Sequence, residues 1–251
     1  MMTAHEPVEF VNMEGSPGLL LLCDHASNAM PEGDLGLPPE EIARHIAWDP
    51  GARGVTLALS AAFDAPALLT RQSRLVIDPN RGADDPTLVM QLYDGTIIPG
   101  NRGISEADIA RRRALYYDPY HGAITARLDA LATRGVQPVL VSIHSMTAQL
   151  RGKPFRPWQF SVLWHDDGRI ARPLIERLRA VPGLEIGDNE PYTGALDGDT
   201  MSRHGLGRGL PHVLIEVRND LISTPEGEAL WAAKLAGPLA DVIAAYRAGE
   251  R

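Results

Sequence analysis

The sequence predicts an α/β fold in which a mostly parallel sheet is covered by helices on both faces. Three observations carry that reading. Short apolar, β-branched runs alternate along the chain with longer segments of helical periodicity, the pattern of parallel strands joined by helical crossovers. The best strand runs, Leu19–Cys23 and Val139–Ile143, are apolar almost throughout, so neither of their faces is meant for water. Neither an internal repeat nor a linker divides the 251 residues, a length that one sizeable core accommodates. Residues 1–251 are therefore expected to form a single domain.

The elements follow in order. Residues 1–16 are polar and irregular and read as a surface arm. Leu19–Cys23 is the first strand, followed by a loop ending near Pro31. Leu37-Pro38-Pro39-Glu40-Glu41 starts a helix, with prolines first and acids in the opening turn. Ala52–Phe63 has apolar residues at helical spacing. Ala67–Thr70 is a strand, and Leu75–Ile77 a second short one before the Asp78-Pro79-Asn80-Arg81-Gly82 loop. Asp84 to Gly103 is loop-like. A long helix then runs from about Ser105 to Thr133, opened by Ser105-Glu106-Ala107-Asp108, which resembles a capping box. Val139–Ile143 and Gln159–Trp164 are strands, Ile170–Ala180 a helix, Val213–Val217 a buried strand and Pro225–Arg247 a closing helix. Gly187–Gly209 is glycine-rich and too long for a plain connector, which makes it a candidate active-site loop.

Composition excludes several functions. Net charge is −8, and the one basic run, Arg111-Arg112-Arg113, reads as a solvated helix face. Nucleic-acid binding is not expected, because neutralising phosphates needs a basic surface. The longest apolar stretch near the N-terminus is far too short for a membrane span or a signal segment. The single Cys rules out an intramolecular disulfide framework. A cytoplasmic enzyme is expected.

The chemistry lies where buried strands emerge, since sites in such folds sit at the carboxyl ends of the strands. Leu19–Leu22 delivers Cys23-Asp24-His25, Val139–Ile143 delivers His144, and Val213–Ile215 delivers Glu216. Two histidines and a carboxylate can hold one divalent metal with a position left open, and a nearby Glu can take a proton from water there. A strand-end His also serves as a hydrogen-bonded structural residue, so no one of these positions decides the matter. Asp24 is either a ligand or a partner that orients an imidazole. The remaining ligand has three candidates: Asp49 at a helix start, where a plain N-cap is the alternative, Asn28, and Glu32. Asp49 is favoured. Glu216 costs burial energy unless it is paired or works on water, and Arg218, two residues on and on the same face, is its natural neighbour. Arg71, Arg74 and Arg81 flank strand ends, while Arg203, His204 and Arg208 lie in the glycine-rich loop. A guanidinium reads a carboxylate bidentately, so several near one metal would imply an anionic substrate.

Taken together, Cys23-Asp24-His25-Ala26-Ser27-Asn28, Trp48-Asp49-Pro50-Gly51-Ala52, Leu69-Thr70-Arg71, Asp78-Pro79-Asn80-Arg81, Pro119-Tyr120-His121, Ser142-Ile143-His144-Ser145-Met146, Asn189-Glu190-Pro191-Tyr192 and Ile215-Glu216-Val217-Arg218-Asn219-Asp220 make the chain resemble the N-formylglutamate amidohydrolase family. The resemblance implies a three-layer α/β/α sandwich with a central mixed, mostly parallel sheet, of the phosphorylase/hydrolase-like type. It implies a zinc-dependent amidohydrolase acting on linear amide C–N bonds, with N-formyl-L-glutamate and water giving formate and L-glutamate in histidine degradation. One Zn2+ per chain is expected on His25, Asp49 and His144, with other divalent metals as substitutes. The related amidases place the carboxylate ligand at the start of the helix after the first histidine, where Asp49 stands, although they use Glu there. Glu216 is the expected general base and Arg218 the cation beside the reacting carbonyl. Arg71, Asn80, Arg81, Ser145, Arg203 and His204 are the expected contacts to a small anionic N-acyl amino acid. A homo-oligomer is an open option for assembly. A zinc peptidase, a peptidoglycan-type amidase and a non-catalytic family member are the alternatives.

Overall fold

The computed structural model describes residues 5–249. Nine strands are present among them: β1 Val8–Val11, β2 Leu19–Cys23, β3 Ala67–Thr70, β4 Leu92–Tyr93, β5 Thr96–Ile97, β6 Val139–Met146, β7 Phe160–Leu163, β8 Ile186–Asp188 and β9 His212–Arg218. Seven of them form the central sheet in the order β1-β3-β2-β6-β9-β7-β8, and β4 and β5 form a small separate hairpin. The pairs β3–β2, β2–β6, β6–β9 and β7–β8 are parallel, whereas β1–β3 and β7–β9 are antiparallel. The sheet is thus mixed and mostly parallel.

Alternation along the strands sorts the side chains into two layers. On β6, Val139, Val141 and Ile143 join the larger apolar cluster with Leu19, Leu21, Val213 and Ile215. Helices α2 (Ala52–Phe63), α5 (Ala171–Arg179) and α7 (Pro225–Ala248) complete that side with residues such as Leu59, Leu174 and Leu239. The other face carries Leu20, Leu22, Leu140 and Leu214 under Tyr120, Ile124 and Leu128 of α4 (Asp118–Thr133). Each fully buried Leu or Ile contributes roughly 1.5–3 kcal/mol, so the larger cluster dominates stability. The second layer is smaller because polar groups occupy the same face further along the strands, where Ser142, His144 and Glu216 follow Leu140 and Leu214. The architecture is a three-layer α/β/α sandwich.

Several elements depart from the sequence reading. Residues 8–11 are not part of an arm. They form the edge strand β1, with Val8 opposite Thr70 and Val11 opposite Ala67. Glu9 pairs with Arg53, and its charge made the segment look irregular; residues 1–4 lie outside the described range. Leu75–Ile77 is turn, not strand: Ser73 takes the amide of Val76 on its carbonyl and that of Leu75 on its hydroxyl. These three residues are apolar because they fill two smaller clusters beside the sheet. The helix after Leu37 is the single turn α1 (Pro39–Ile42).

The long helix is interrupted. Ser105 caps α3 (Glu106–Arg112) by accepting the Asp108 amide at 3.1 Å, and a π turn over Arg113–Tyr117 leads into α4. Pro119 has no N–H to return to Leu115, and the wider turn accommodates that loss. Arg112 is buried, donating to the Val76 carbonyl and Asn101, so the basic run is not wholly solvated. The Gly187–Gly209 segment contains the end of β8 and the short helix α6 (Thr200–His204).

Candidate metal centre

His144 and Glu216 do not sit beyond their strands, because β6 and β9 run on to Met146 and Arg218. The two residues are register partners on adjacent parallel strands, so their side chains stand side by side on one face. His25 lies two residues past β2, on the strand bordering β6. Asp49 is tied to it by a backbone bond, its amide donating to the His25 carbonyl at 3.0 Å. The N-cap of α2 is Gly51 and receives no side-chain bond, so the Asp49 carboxylate does not cap. It points at the histidines: Asp49 Oδ2 is 3.3 Å from His25 Nδ1 and 2.9 Å from His144 Nδ1. One ligand atom from each of His25, Asp49 and His144 lies within 4.8 Å of the others, and all three residues are buried. Asn28 instead gives its amide to the Ile42 carbonyl, and Glu32 binds Arg111 and Tyr116.

The far side of each imidazole is held by a second buried carboxylate. His25 Nε2 donates to Asp78 Oδ1 at 2.7 Å, and His144 Nε2 to Asp24 Oδ2 at 2.8 Å. Those bonds hold a ring hydrogen at each Nε2 and turn both Nδ1 atoms toward the same carboxylate oxygen. Two ring nitrogens converging on one anion call for positive charge between them, which a divalent ion can supply. The donor set therefore fits a zinc-type ion.

Electrostatics agrees with that demand. Burial disfavours the Asp49 anion, but His25 and Arg74 outweigh it and hold its pKa well below the usual range. Burial also opposes the Asp24 anion, yet bonds from His144 and Tyr120 bring its pKa down to about 2. Burial lowers the His144 pKa, while the bonds to Asp24 and Asp49 raise it well above the ordinary histidine value. Glu216 is the contrast. Its Oε2 is buried with no hydrogen-bond partner among the described residues. Burial pushes its pKa up to about 7, with Asp49 adding to the rise and His144 and Arg74 opposing it. A carboxyl group poised near neutrality and left unpaired beside three ligand-type residues can accept and return a proton.

His25, Asp49, His144 and Glu216 line a cavity of about 390 Å3. Asn80, Arg81 and Ser145 also reach it, but Arg71, Arg203, His204 and Arg218 do not. Arg71 is a surface residue facing Glu6. Arg203 lies over the Tyr117 ring. His204 is buried against His121, with Nε2 2.9 Å from His121 Nδ1. Arg218 bonds Asp220 and the carbonyls of Arg156 and Pro157, leaving Glu216 unpaired. Ser145 bonds the Pro50 carbonyl and gives its amide to Asp49 Oδ2.

The guanidinium that does reach the centre is that of Arg74, 2.9 Å from Asp49 Oδ1 and 3.6 Å from Asp78 Oδ2. The sequence reading weighed Arg74 only as one of several arginines near strand ends and gave Asp78 no role. A usable signal was present, since opposite charges four residues apart bracket the wholly apolar Leu75-Val76-Ile77. Asp24 serves the histidine of the neighbouring strand, not the adjacent His25, a pairing that spacing along the chain does not reveal.

Known proteins resemble the chain over most of its length. A family model described as N-formylglutamate amidohydrolase matches residues 18–223. The gene product Atu2144 from Agrobacterium tumefaciens superposes with a TM-score of 0.92 at 32% identity, covering 97% of each chain. The N-formylglutamate amidohydrolase from Ralstonia eutropha JMP134 superposes with a TM-score of 0.73 at 24% identity, covering 97% of this chain and 99% of that one. A bacteriophage poly-gamma-glutamate hydrolase shares the fold at 10% identity, with a TM-score of 0.51 over 98% of this chain and 92% of that one. No curated protein matches the chain. With the family model spanning most of its length, the chain belongs to the N-formylglutamate amidohydrolase family.

Proposed function

We propose that this amidohydrolase is metal-dependent, holds one zinc ion on His25, Asp49 and His144, and cleaves the amide of an N-formyl or N-acyl amino acid. The observation that carries the reading is the pair of Nδ1 atoms converging on Asp49 with the unpaired Glu216 beside them. A divalent ion held there would supply Lewis acidity to the amide carbonyl and would lower the pKa of water enough for a proton to leave near neutral pH. Glu216 takes that proton as the water oxygen bonds to the carbonyl carbon, then returns it to the departing nitrogen as the C–N bond breaks. The formate or other carboxylate and the free amine are the products. Asp24 and Asp78 fix the two imidazoles in the orientation that binding requires.

We assign the cation beside the developing oxyanion to Arg74 instead of Arg218, because Arg74 lines the cavity and Arg218 does not. Asn80 and Arg81 would receive the substrate carboxylate. Among the described residues no helix is long and apolar enough to cross a membrane, and the lone Cys23 is buried with a free thiol, in keeping with action in the cytosol. The test is metal analysis of protein purified without chelator, with formate release from several N-formyl amino acids before and after metal depletion. One zinc per chain with zinc-restored turnover is expected. Full turnover after complete metal removal would refute the reading.

A further inference from the structure

The cavity's cations are too few for a dicarboxylate. Among the described residues, Arg74 and Arg81 are the guanidinium groups lining it, and Arg74 is committed to Asp49 and Asp78. Arg81 gives Nε to Thr87 and Nη1 to the Asn80 carbonyl, which leaves Nη2 outside those bonds. Asn80 uses its side-chain oxygen to accept the Thr200 amide, which leaves its NH2 group as the donor toward the cavity. One amino group and one amide suffice for a single carboxylate.

The other charged or basic groups do not supply a second subsite. His45 lines the cavity, but burial lowers its pKa, and its Nε2 lies 3.4 Å from Asp94. Arg156 donates to the Thr147 carbonyl and lies over the Tyr192 ring at 4.9 Å. Asp199, buried at the start of α6, adds a carboxyl group to the lining. The remaining wall mixes uncharged polar residues such as Thr147 and Thr193 with an apolar stretch. Leu163 and Leu214 are cross-strand partners on the face that carries Glu216, and Leu196 and Tyr192, from the segment after β8, line the same cavity. Desolvating a second carboxylate against leucines, with no cation and with Asp199 in the same cavity, is strongly unfavourable.

We propose that the preferred substrate is an N-acyl amino acid with one carboxylate, read by Arg81 and Asn80, and an apolar side chain set against Leu163, Leu196, Leu214 and Tyr192, and not the dicarboxylate N-formyl-L-glutamate. This rests on the amidohydrolase reading above, and two measurements separate them. Zinc-loaded wild-type protein is assayed for formate release from N-formyl-L-leucine, N-formyl-L-methionine and N-formyl-L-glutamate. Binding of the same compounds to Glu216→Gln protein is measured by calorimetry.

At least a tenfold preference for the leucine or methionine compound is expected in kcat/KM and in Kd. Leu196→Arg, which adds a guanidinium to the apolar wall, is expected to narrow that gap at least tenfold by favouring the glutamate compound. Tenfold tighter binding of the apolar compounds without wild-type turnover would sustain the pocket assignment and defeat the amidohydrolase reading. Equal or better binding and turnover of the glutamate compound would overturn the proposal and leave that reading intact. Absence of both binding and turnover with every compound would overturn both.

Discussion

Replacing Asp24 with Asn tests the arrangement behind the metal ligands most directly. The Asp24 carboxylate accepts four side-chain bonds: from Tyr120 at 2.8 Å and Thr200 at 2.9 Å on Oδ1, and from Ser142 at 2.9 Å and His144 Nε2 at 2.8 Å on Oδ2. Asparagine keeps one oxygen, which can serve Ser142 and His144. Its NH2 group then faces the Tyr120 and Thr200 hydroxyls, which can rotate to accept. Shape and most bonds survive, and the charge is what is lost. Hydrogen bonds to a charged group are worth roughly 1.5–3 kcal/mol against about 1 for neutral ones, while removing a buried charge recovers part of its desolvation cost. The metal-free protein is therefore expected to lose about 2 kcal/mol, which for a chain of this size is roughly 4–8 °C in Tm.

Metal affinity is the sharper readout. Partners that orient ligating histidines are worth about 10–100-fold in affinity, so competition with a chelating dye should show zinc bound at least tenfold more weakly by D24N. Circular dichroism melting and the dye titration on the same samples separate the two effects. Zinc affinity within twofold of wild type, with the fold intact, would show that Asp24 does not orient His144 for a metal.

Three further outcomes follow from the geometry. Glu216→Gln should retain its zinc while kcat/KM falls by about 100-fold or more; a loss below tenfold at full metal occupancy would remove Glu216 as the base. Gly51→Ala should cost about 2 kcal/mol or more in urea unfolding, because Gly51 has φ +80° and a Cβ there would overlap the Ile222 carbonyl oxygen; an unchanged midpoint would contradict that packing. Glu32 accepts bonds from Arg111 and Tyr116, which bring its pKa down from 4.5 to about 2. A depressed carboxylate stabilises above its unfolded pKa and loses that contribution as pH falls through its folded one. Glu32→Gln should therefore cost under about 1 kcal/mol at pH 7, and the difference from wild type should shrink between about pH 4.5 and pH 2. A gap that widens on acidification would be inconsistent with it.

Much of this protein was written locally. Runs such as Leu19–Cys23 and Val139–Ile143 are apolar on successive residues because both faces of their strands are covered, and that demand leaves its mark on neighbouring positions. Helix α2 was legible to its bounds because its apolar spacing matches the helical repeat. His25, His144 and Glu216 stood out because each follows closely on such a run, and it was their combination, not any one of them, that pointed to a metal. Cases where local composition misled share one cause. Leu75–Ile77 is as apolar as a strand but owes that to clusters outside the sheet, and β1 is an edge of only four residues, interrupted by Glu9, within an otherwise irregular segment.

What a residue's partners are is a property of strand order, and strand order is set by long-range packing. Leu19–Cys23 and Val139–Met146 are adjacent although more than a hundred residues separate them, and only that adjacency hands His144 to Asp24. The same holds for the arginines. The sequence presented a group of guanidinium groups near strand ends, each equally able to meet a substrate. The fold turned Arg71 to the surface and Arg203 onto an aromatic ring, tied Arg218 to Asp220, and left Arg74 and Arg81 in the cavity. A guanidinium binds whichever carboxylate or carbonyl tertiary packing brings within reach, and residue type alone carries no record of which one that is.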